Sequence, residues 1–429
     1  MARSFDGDFG LEDLFQEPKI ESSEEDHVDD ATGSKDSKLD HSSFMENYED
    51  EATGSDSKGS KLDYSFMEDL FRNCTKETAE EEADRLKREA EEKKREAEEE
   101  EREEEEKKRK EAASVLAWKK HSAVIKSIRK YDPKEKCVVY TRYSFMDFST
   151  FDIDEESSVP PMRHTGTKYQ TKDQLERSME DSANILSVKI VSSDVGYPIN
   201  VYGTVIARDD LDYKCVYLFR CHRRDSQLIK SEDESLTLTG PSRGLILEDF
   251  IFLEVDLKIK GERGQDKPLS KTLLEIDGRV VTRQNIEVRS VPRPSRLSIV
   301  KVEYAAVRNA VEATIEVRVI KGDLFGEITA HTTSIPYKIL LYSGVMTSDD
   351  NGAIQLWRHT IAVCIKEMLI FTIVARAGKD VTASSSRTID FAPSLNGSDE
   401  DIIYCCTAKL HVKVTWSVID CAAWSDSEM

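Results

Sequence analysis

Ile251-Phe252-Leu253-Glu254-Val255-Asp256-Leu257-Lys258-Ile259 decides the fold class. Leu253, Val255, Leu257 and Ile259 fall on one side, and Phe252, Glu254, Asp256 and Lys258 on the other. That two-residue period belongs to a strand with one face on a core, because successive side chains leave opposite faces. Leu186-Ser187-Val188-Lys189-Ile190, Leu236-Thr237-Leu238 and residues 202–206 and 215–219 alternate in the same way. Turn signals punctuate them: Gly196-Tyr197-Pro198, Thr239-Gly240-Pro241 and Gly261-Glu262-Arg263-Gly264.

Outward from that strand the pattern repeats. Gly203-Thr204-Val205-Ile206-Ala207 returns as Gly326-Glu327-Ile328-Thr329-Ala330, and Tyr213-Lys214-Cys215-Val216-Tyr217 as Tyr337-Lys338-Ile339-Leu340-Leu341. Residues 248–261 align with 366–378, and Ile276-Asp277 pairs with Ile389-Asp390. Val291-Pro292-Arg293-Pro294 reads as the linker between the halves. The expectation is a mainly β body of tandem sandwich- or barrel-like units at 185–290 and 295–420, followed by a tail at 421–429. One continuous sandwich built from both halves is the alternative.

The front of the chain is different. The whole chain of 429 residues has 83 acids against 61 bases, with 38% hydrophobic and 34% charged residues, too polar for one packed globule. Residues 1–75 alone carry a net charge of −14 and an internal near-duplication, and are expected to be a disordered acidic tail. Its apolar islands (Leu14-Phe15, Phe44-Met45, Phe66-Met67 and Leu70-Phe71) are candidate docking segments, since acidic-hydrophobic islands fold into partner grooves. Ser144-Phe145-Met146-Asp147 echoes them.

Residues 76–131 read as a long charged helix. Glu89 to Lys93, Glu104 to Lys108 and Glu106 to Lys110 stand at i, i+4, acid first, each worth roughly 0.2–0.5 kcal/mol. Alanine and one leucine near a heptad seam make the competing reading a weak coiled coil with some self-association. The helix runs into a basic amphipathic end, with Val115, Trp118, Ile125 and Ile128 at helical spacing, expected to dock on the body. Asp132-Pro133 is expected to end it. Residues 132–184 form an extended aromatic and proline-bearing linker.

The search for chemistry returns no catalytic, cofactor or metal constellation. No Gly-x-Gly-x-x-Gly, phosphate loop or Gly-x-Ser-x-Gly elbow occurs, and the eight histidines are scattered. The eight cysteines form no Cys-x-x-Cys pair and read as reduced thiols; Cys405-Cys406 reads as two neighbours on opposite faces of a strand. Arg223-Arg224 beside Cys221 could lower a thiol pKa, although a strand-to-turn transition is the plainer reading. Asp349-Asp350-Asn351-Gly352 reads as a hairpin turn rather than a calcium loop. Two clusters stand as a candidate anion or RNA patch: Lys258, Lys260 and Arg263, and Trp357 with Arg358. No stretch is long and apolar enough for a membrane span, and no secretory signal opens the chain, so the expected compartment is cytoplasmic or nuclear.

Residues 199–261, with Gly203 to Asp209, Leu236 to Leu245 and Leu253 to Gly261, resemble an uncharacterised domain family abundant in grasses, DUF6598. Pro160-Pro161-Met162-Arg163-His164-Thr165 resembles that family's upstream segment, so the likeness extends over about residues 140–420. It implies a shared fold and carries over no active-site residues. Some similar proteins join this domain to a ribosome-inactivating N-glycosidase, which implies a ribosome- or RNA-associated defence protein as one alternative; an enzyme with an unrecognised site is another. The primary expectation is a non-enzymatic interaction protein, with protein partners and no cofactor.

Overall fold

The computed structural model describes residues 78–166, 179–280, 287–347, 352–376, 384–406 and 408–420. The chain divides into two compact units, Met1–Glu91 and Glu92–Met429. In the first, the described residues begin the helix α1 (Ala79–Ile128). Its start is a capping box: the Glu81 carboxylate accepts the Thr78 N–H at 2.9 Å, and Thr78 Oγ1 accepts the Glu81 N–H at 3.4 Å. The helix therefore starts at 79 rather than 76. Arg85 pairs with Glu89 at 3.1 Å.

In the second unit, of the expected acid-first pairs, Glu104–Lys108 and Glu106–Lys110 close at 2.8 Å. Residues 92–116 are exposed throughout. The helix ends at Ile128, earlier than Asp132-Pro133, because the chain turns at once into a hairpin of β1 (Arg129–Asp132) and β2 (Cys137–Tyr140). Asp132 is buried there and accepts from the Ser295 hydroxyl at 2.7 Å and from the Lys134 and Arg296 N–H groups. Burial opposes its charge, but these donors hold its carboxyl below the usual range. The docking expected of the helix end covers its last two turns only. Val124, Ile125 and Ile128 pack with Met146, Phe148, Phe151 and Ile153, whereas Val115, Leu116 and Trp118 stay exposed.

The body is mainly β, antiparallel throughout its sheets, with no closed barrel among the described residues. It consists of β3 (Ser182–Ser193), β4 (Ile199–Arg208), β5 (Val216–Cys221), β6 (Gln227–Ile229), β7 (Phe250–Ile259), β8 (Lys267–Asp277), β9 (Val288–Ser295) and β10 (Ser298–Val307), then β11 (Ala310–Lys321), β12 (Leu324–Thr332), β13 (Ile339–Met346), β14 (Thr360–Cys364), β15 (Leu369–Arg376), β16 (Ser384–Phe391), β17 (Ser398–Cys405) and β18 (Ala408–Val418). The first eight form sheets ordered β5-β4-β7-β8 and β3-β10-β9; the second eight form β13-β12-β15-β16 and β14-β11-β18-β17. Apart from the fourth strand of each half, β6 paired with β4 in the first and β14 paired with β11 in the second, these are the same order, so the sequence repeat is a repeated sandwich.

The expected linker at 291–294 is inside β9, an edge strand paired with β10, which is itself paired with β3. Pro292 and Pro294 marked an edge rather than a boundary, because a strand with one free side tolerates missing N–H donors. The first sandwich therefore ends at Val307 and the second begins at Ala310. Residues on the inward faces of each sheet pair fill separate cores, Val188, Val205, Leu218 and Val255 in the first, and Ile328, Phe371, Val412 and Trp416 in the second. Leu186, Ala305 and Val307, on β3 and β10, join the second core instead, so both faces of β3 are covered and its first seven residues are all buried.

Candidate functional site

Alternation puts Glu254 of β7 on the face of its sheet away from the core, opposite Ile206 of β4. It is nevertheless only 4% exposed, because residues 141–154 lie across that face as a strap. Its carboxylate accepts from Arg208 Nε at 2.7 Å, Arg208 Nη2 at 3.2 Å, Arg142 Nε at 2.8 Å and the Tyr143 N–H at 3.0 Å. Arg208, wholly buried at the end of β4, and Arg142 both donate to the Ile153 carbonyl, at 2.6 and 2.8 Å, and Arg142 also pairs with Asp154 at 2.6 Å. Burial opposes the Arg142 charge, but Glu254 and Asp154 hold its pKa well above the ordinary value. Tyr143 seats the strap in an aromatic cradle, stacked on Tyr213 at 5.2 Å and tilted at 50° against Phe252 at 4.6 Å.

The strap then passes to the second sandwich. Buried Arg243 grips Asp209 through two bonds of 2.6 and 2.9 Å, and Asp209 also accepts the Ile246 N–H at 2.8 Å. Burial works against the Arg243 charge, but Asp209 and Asp212 raise its pKa. Glu312 of β11 accepts the Gly244 N–H and the Met162 N–H, each at 2.6 Å, and so ties a loop of the first sandwich and the strap to the second. Beyond it the His164 N–H donates to Ser417 Oγ at 2.9 Å and Thr165 Oγ1 to the Trp416 carbonyl at 2.8 Å. Arg243 is paired with Asp209, and Glu312 is held by backbone N–H groups and the Thr314 hydroxyl; such partners are the condition under which buried ions are tolerated.

A further contact joins β3 to β14 and to the segment entering it. The Asn184 amide exchanges two bonds with Ala362, at 2.7 and 3.0 Å. Arg358 is 1% exposed and donates through Nη1 to the Ile185 carbonyl at 2.6 Å, while Nε and Nη2 have no partner. Burial lowers its pKa to about 10. Arg358 is thus an interface residue, not part of a surface patch: its strand segment abuts β3. Trp357 is half-buried against Tyr342. Lys258 and Arg263 are exposed and Lys260 half-buried on the first sandwich, so the two expected basic clusters sit in different sandwiches and the structure does not merge them.

The tail islands Leu14, Phe15, Phe44, Met45, Phe66, Met67, Leu70 and Phe71, and residues 349–351, lie outside the described residues. Arg223 and Arg224 turn to Asp266 and Asp225, and burial raises the Cys221 thiol, so that thiol is not activated. Cys405 is the buried last residue of β17 and Cys406 is an exposed turn residue with φ 53°, so the pair does not share a strand as expected: the chain turns between them. Sequence reasoning missed Arg208, Arg243 and Glu312 altogether. The signal was slight: charged residues at strand ends or in strand runs, with partners 34 to 68 positions away.

Two clefts flank the strap. One of about 330 Å³ lies between Pro161-Met162 and Thr314 to Arg318 of β11, with His359 on its wall. Met162 there has φ 60°, a left-handed conformation that is costly for a side chain of its size. The other, about 280 Å³, lies over β4, β7 and β8 and is lined by Arg142, Asp154, Thr204, Tyr217, Asp256 and Lys271.

A family model described as "Domain of unknown function (DUF6598)" matches residues 182–414, from the first strand of one sandwich to the last strand of the other. No curated protein matches the chain in sequence. Similar solved structures include human GIVD cytosolic phospholipase A2, 9% identical, covering 55% of this chain and 32% of that one with a TM-score of 0.18. The C2A- and C2B-domains of Extended-Synaptotagmin 2 are 8% identical and cover 62% of this chain and 100% of that one with a TM-score of 0.19. The chain spans about a third of the phospholipase. At these scores neither likeness carries an argument.

Proposed function

The chain belongs to the DUF6598 family, and from that premise we propose that it is a non-enzymatic protein-interaction module working in a reducing compartment, the cytoplasm or nucleus. One observation carries the reading. The charged residues that converge in the body are spent on gripping an irregular, turn-bearing segment, residues 141–165 of the chain itself, through backbone N–H and C=O groups and an aromatic cradle. Glu254 already accepts from two arginines and a backbone amide, which suits a clamp better than a group that must take up and release protons. On the strap Phe145 is 74% exposed, and Leu116 and Trp118 stand exposed on the helix whose end packs against it. Large apolar side chains beside a rigid polar clamp are the composition of an interface centre. The free cysteines agree with a reducing compartment.

The test is capture by the tagged full chain, with and without nuclease, beside Phe145→Ala and Trp118→Ala variants whose melting is unchanged. The expected result is a nuclease-resistant, stoichiometric protein that both variants weaken at least tenfold. Capture of ribosomal components that vanish with nuclease, or capture indifferent to both variants, overturns the proposal.

A further inference from the structure

We propose that the cleft of about 280 Å³ over β4, β7 and β8 is a binding site for a neutral polyhydroxylated ligand of single-ring size, a monosaccharide or cyclitol. At about 280 Å³ the cleft falls just under the usual range of small-molecule pockets, roughly 300 to 1,000 Å³, so it admits one ring and not a chain. Its lining is a mosaic of donors and acceptors. Lys271 Nζ meets Asp256 Oδ2 at 2.6 Å and Arg142 Nη1 meets Asp154 Oδ1 at 2.6 Å, so each carboxylate engages its cation through one oxygen. An ammonium has three donors and a carboxylate about four acceptor sites, and capacity remains on all four groups. Thr204 adds a hydroxyl beside them, in register with Asp256 across β4 and β7.

Three features select the ligand class. Arg142 and Lys271 are interleaved with Asp154, Asp256 and Glu254, whose carboxylate is already filled by Arg208, Arg142 and the Tyr143 N–H, so neither an anion nor a cation meets a field of one sign. An apolar ligand would strip water from these groups without replacing its bonds. Vicinal hydroxyls each donate and accept, and match such a mosaic. Tyr217 supplies an aromatic wall, its ring held by the Arg220 guanidinium 3.2 Å from the centroid, which in turn pairs with Glu156 at 2.7 Å. The site is rigid: Arg142 is fixed by Glu254 and the Ile153 carbonyl, and Asp256 and Lys271 face each other on adjacent strands. It stands independently of the interaction reading above, because its residues need no protein partner.

The experiment is saturation-transfer NMR and calorimetry on the full chain with glucose, galactose, N-acetylglucosamine and myo-inositol, and with inorganic phosphate and arginine as ionic probes. The expected result is saturable binding of at least one of the four polyols, at a dissociation constant on the order of millimolar or tighter. Thr204→Val and Asp256→Asn should each weaken it about tenfold with melting unchanged, the scale of one lost hydrogen bond to a charged or polar partner. Preferential binding of phosphate or arginine overturns the ligand class. Absence of saturable binding by all four polyols, or binding indifferent to both variants, overturns the site.

Discussion

The two sandwiches share a strand order and differ in what covers them. In the first, the outward face of β7 is roofed by the strap, and Phe252 and Glu254 are buried there. In the second, β15 occupies the place of β7, and the residue equivalent to Glu254 is Thr372, equally buried at 4% exposed but uncharged, and it meets Thr388 across the sheet at 3.1 Å. On neighbouring strands of that sheet Phe325, Leu340 and Val345 remain exposed. The short fourth strand differs as well: β6 adds to β4, whereas β14 adds to β11 and so abuts β3. The difference teaches that the repeat fixes the sheets and buries this position in both, and that the strap supplies the arginine and backbone donors that let a charged residue stand there.

The sharpest way to break this comparison is to remove the clamp on one side only. Glu254→Ala leaves wholly buried Arg208 without its counter-charge and Arg142 with Asp154 alone, and should cost about 3–5 kcal/mol. Thr372→Ala at the matching position should cost about 1 kcal/mol. Denaturant unfolding of both variants checks this, and equal costs would mean that the strap contributes nothing.

A smaller effect tests what the repeats have in common. A Cβ on Gly203 would sit 2.1 Å from the Asp256 carbonyl oxygen, and one on Gly326 would sit 2.2 Å from that of Val374. Alanine at either site should cost roughly 1–3 kcal/mol, and Gly203→Ala should cost more because its φ of 131° also disfavours a side chain. Thermal melting of the pair ranks them.

At the joint, Arg358→Met removes a buried charge that has no acidic partner. Such replacements are neutral or stabilising, so the expectation is a gain of roughly 1 kcal/mol rather than a loss. A loss of several kcal/mol would show that the guanidinium is satisfied in solution.

The mildest probe is pH. His164 in the strap, His331 on β12 and His359 at the joint are all lowered by burial, whereas His222, the histidine of the first sandwich, is exposed. A histidine lowered in the folded state takes its proton more readily when unfolded. Its contribution is complete above the ordinary value of about 6.5 and is lost as pH falls below it. Hydrogen exchange at pH 5.5 against pH 7.5 should therefore loosen β12 and residues 158–165 before β4 and β7.

Much of this was legible in advance. Ile251 to Ile259 identified a strand, the recurrence of Gly203-Thr204-Val205-Ile206-Ala207 at Gly326 identified a repeat, and family membership followed from the same runs. The boundary was not legible, because Pro292 and Pro294 serve an edge strand as readily as a linker. Nor was the helix end, since four residues of hairpin can continue a helical pattern without interrupting it.

By itself the sequence determined the class: local alternation and turn chemistry act within a few residues, so they survive without knowledge of neighbours. Tertiary structure alone decided that Glu254, Arg208, Arg243 and Glu312 lie buried together and that Arg358 leaves the surface. Each is a polar residue on an unremarkable strand or loop until a segment far away in the chain covers it, and burial of a charge depends on that cover, not on its own sequence neighbourhood.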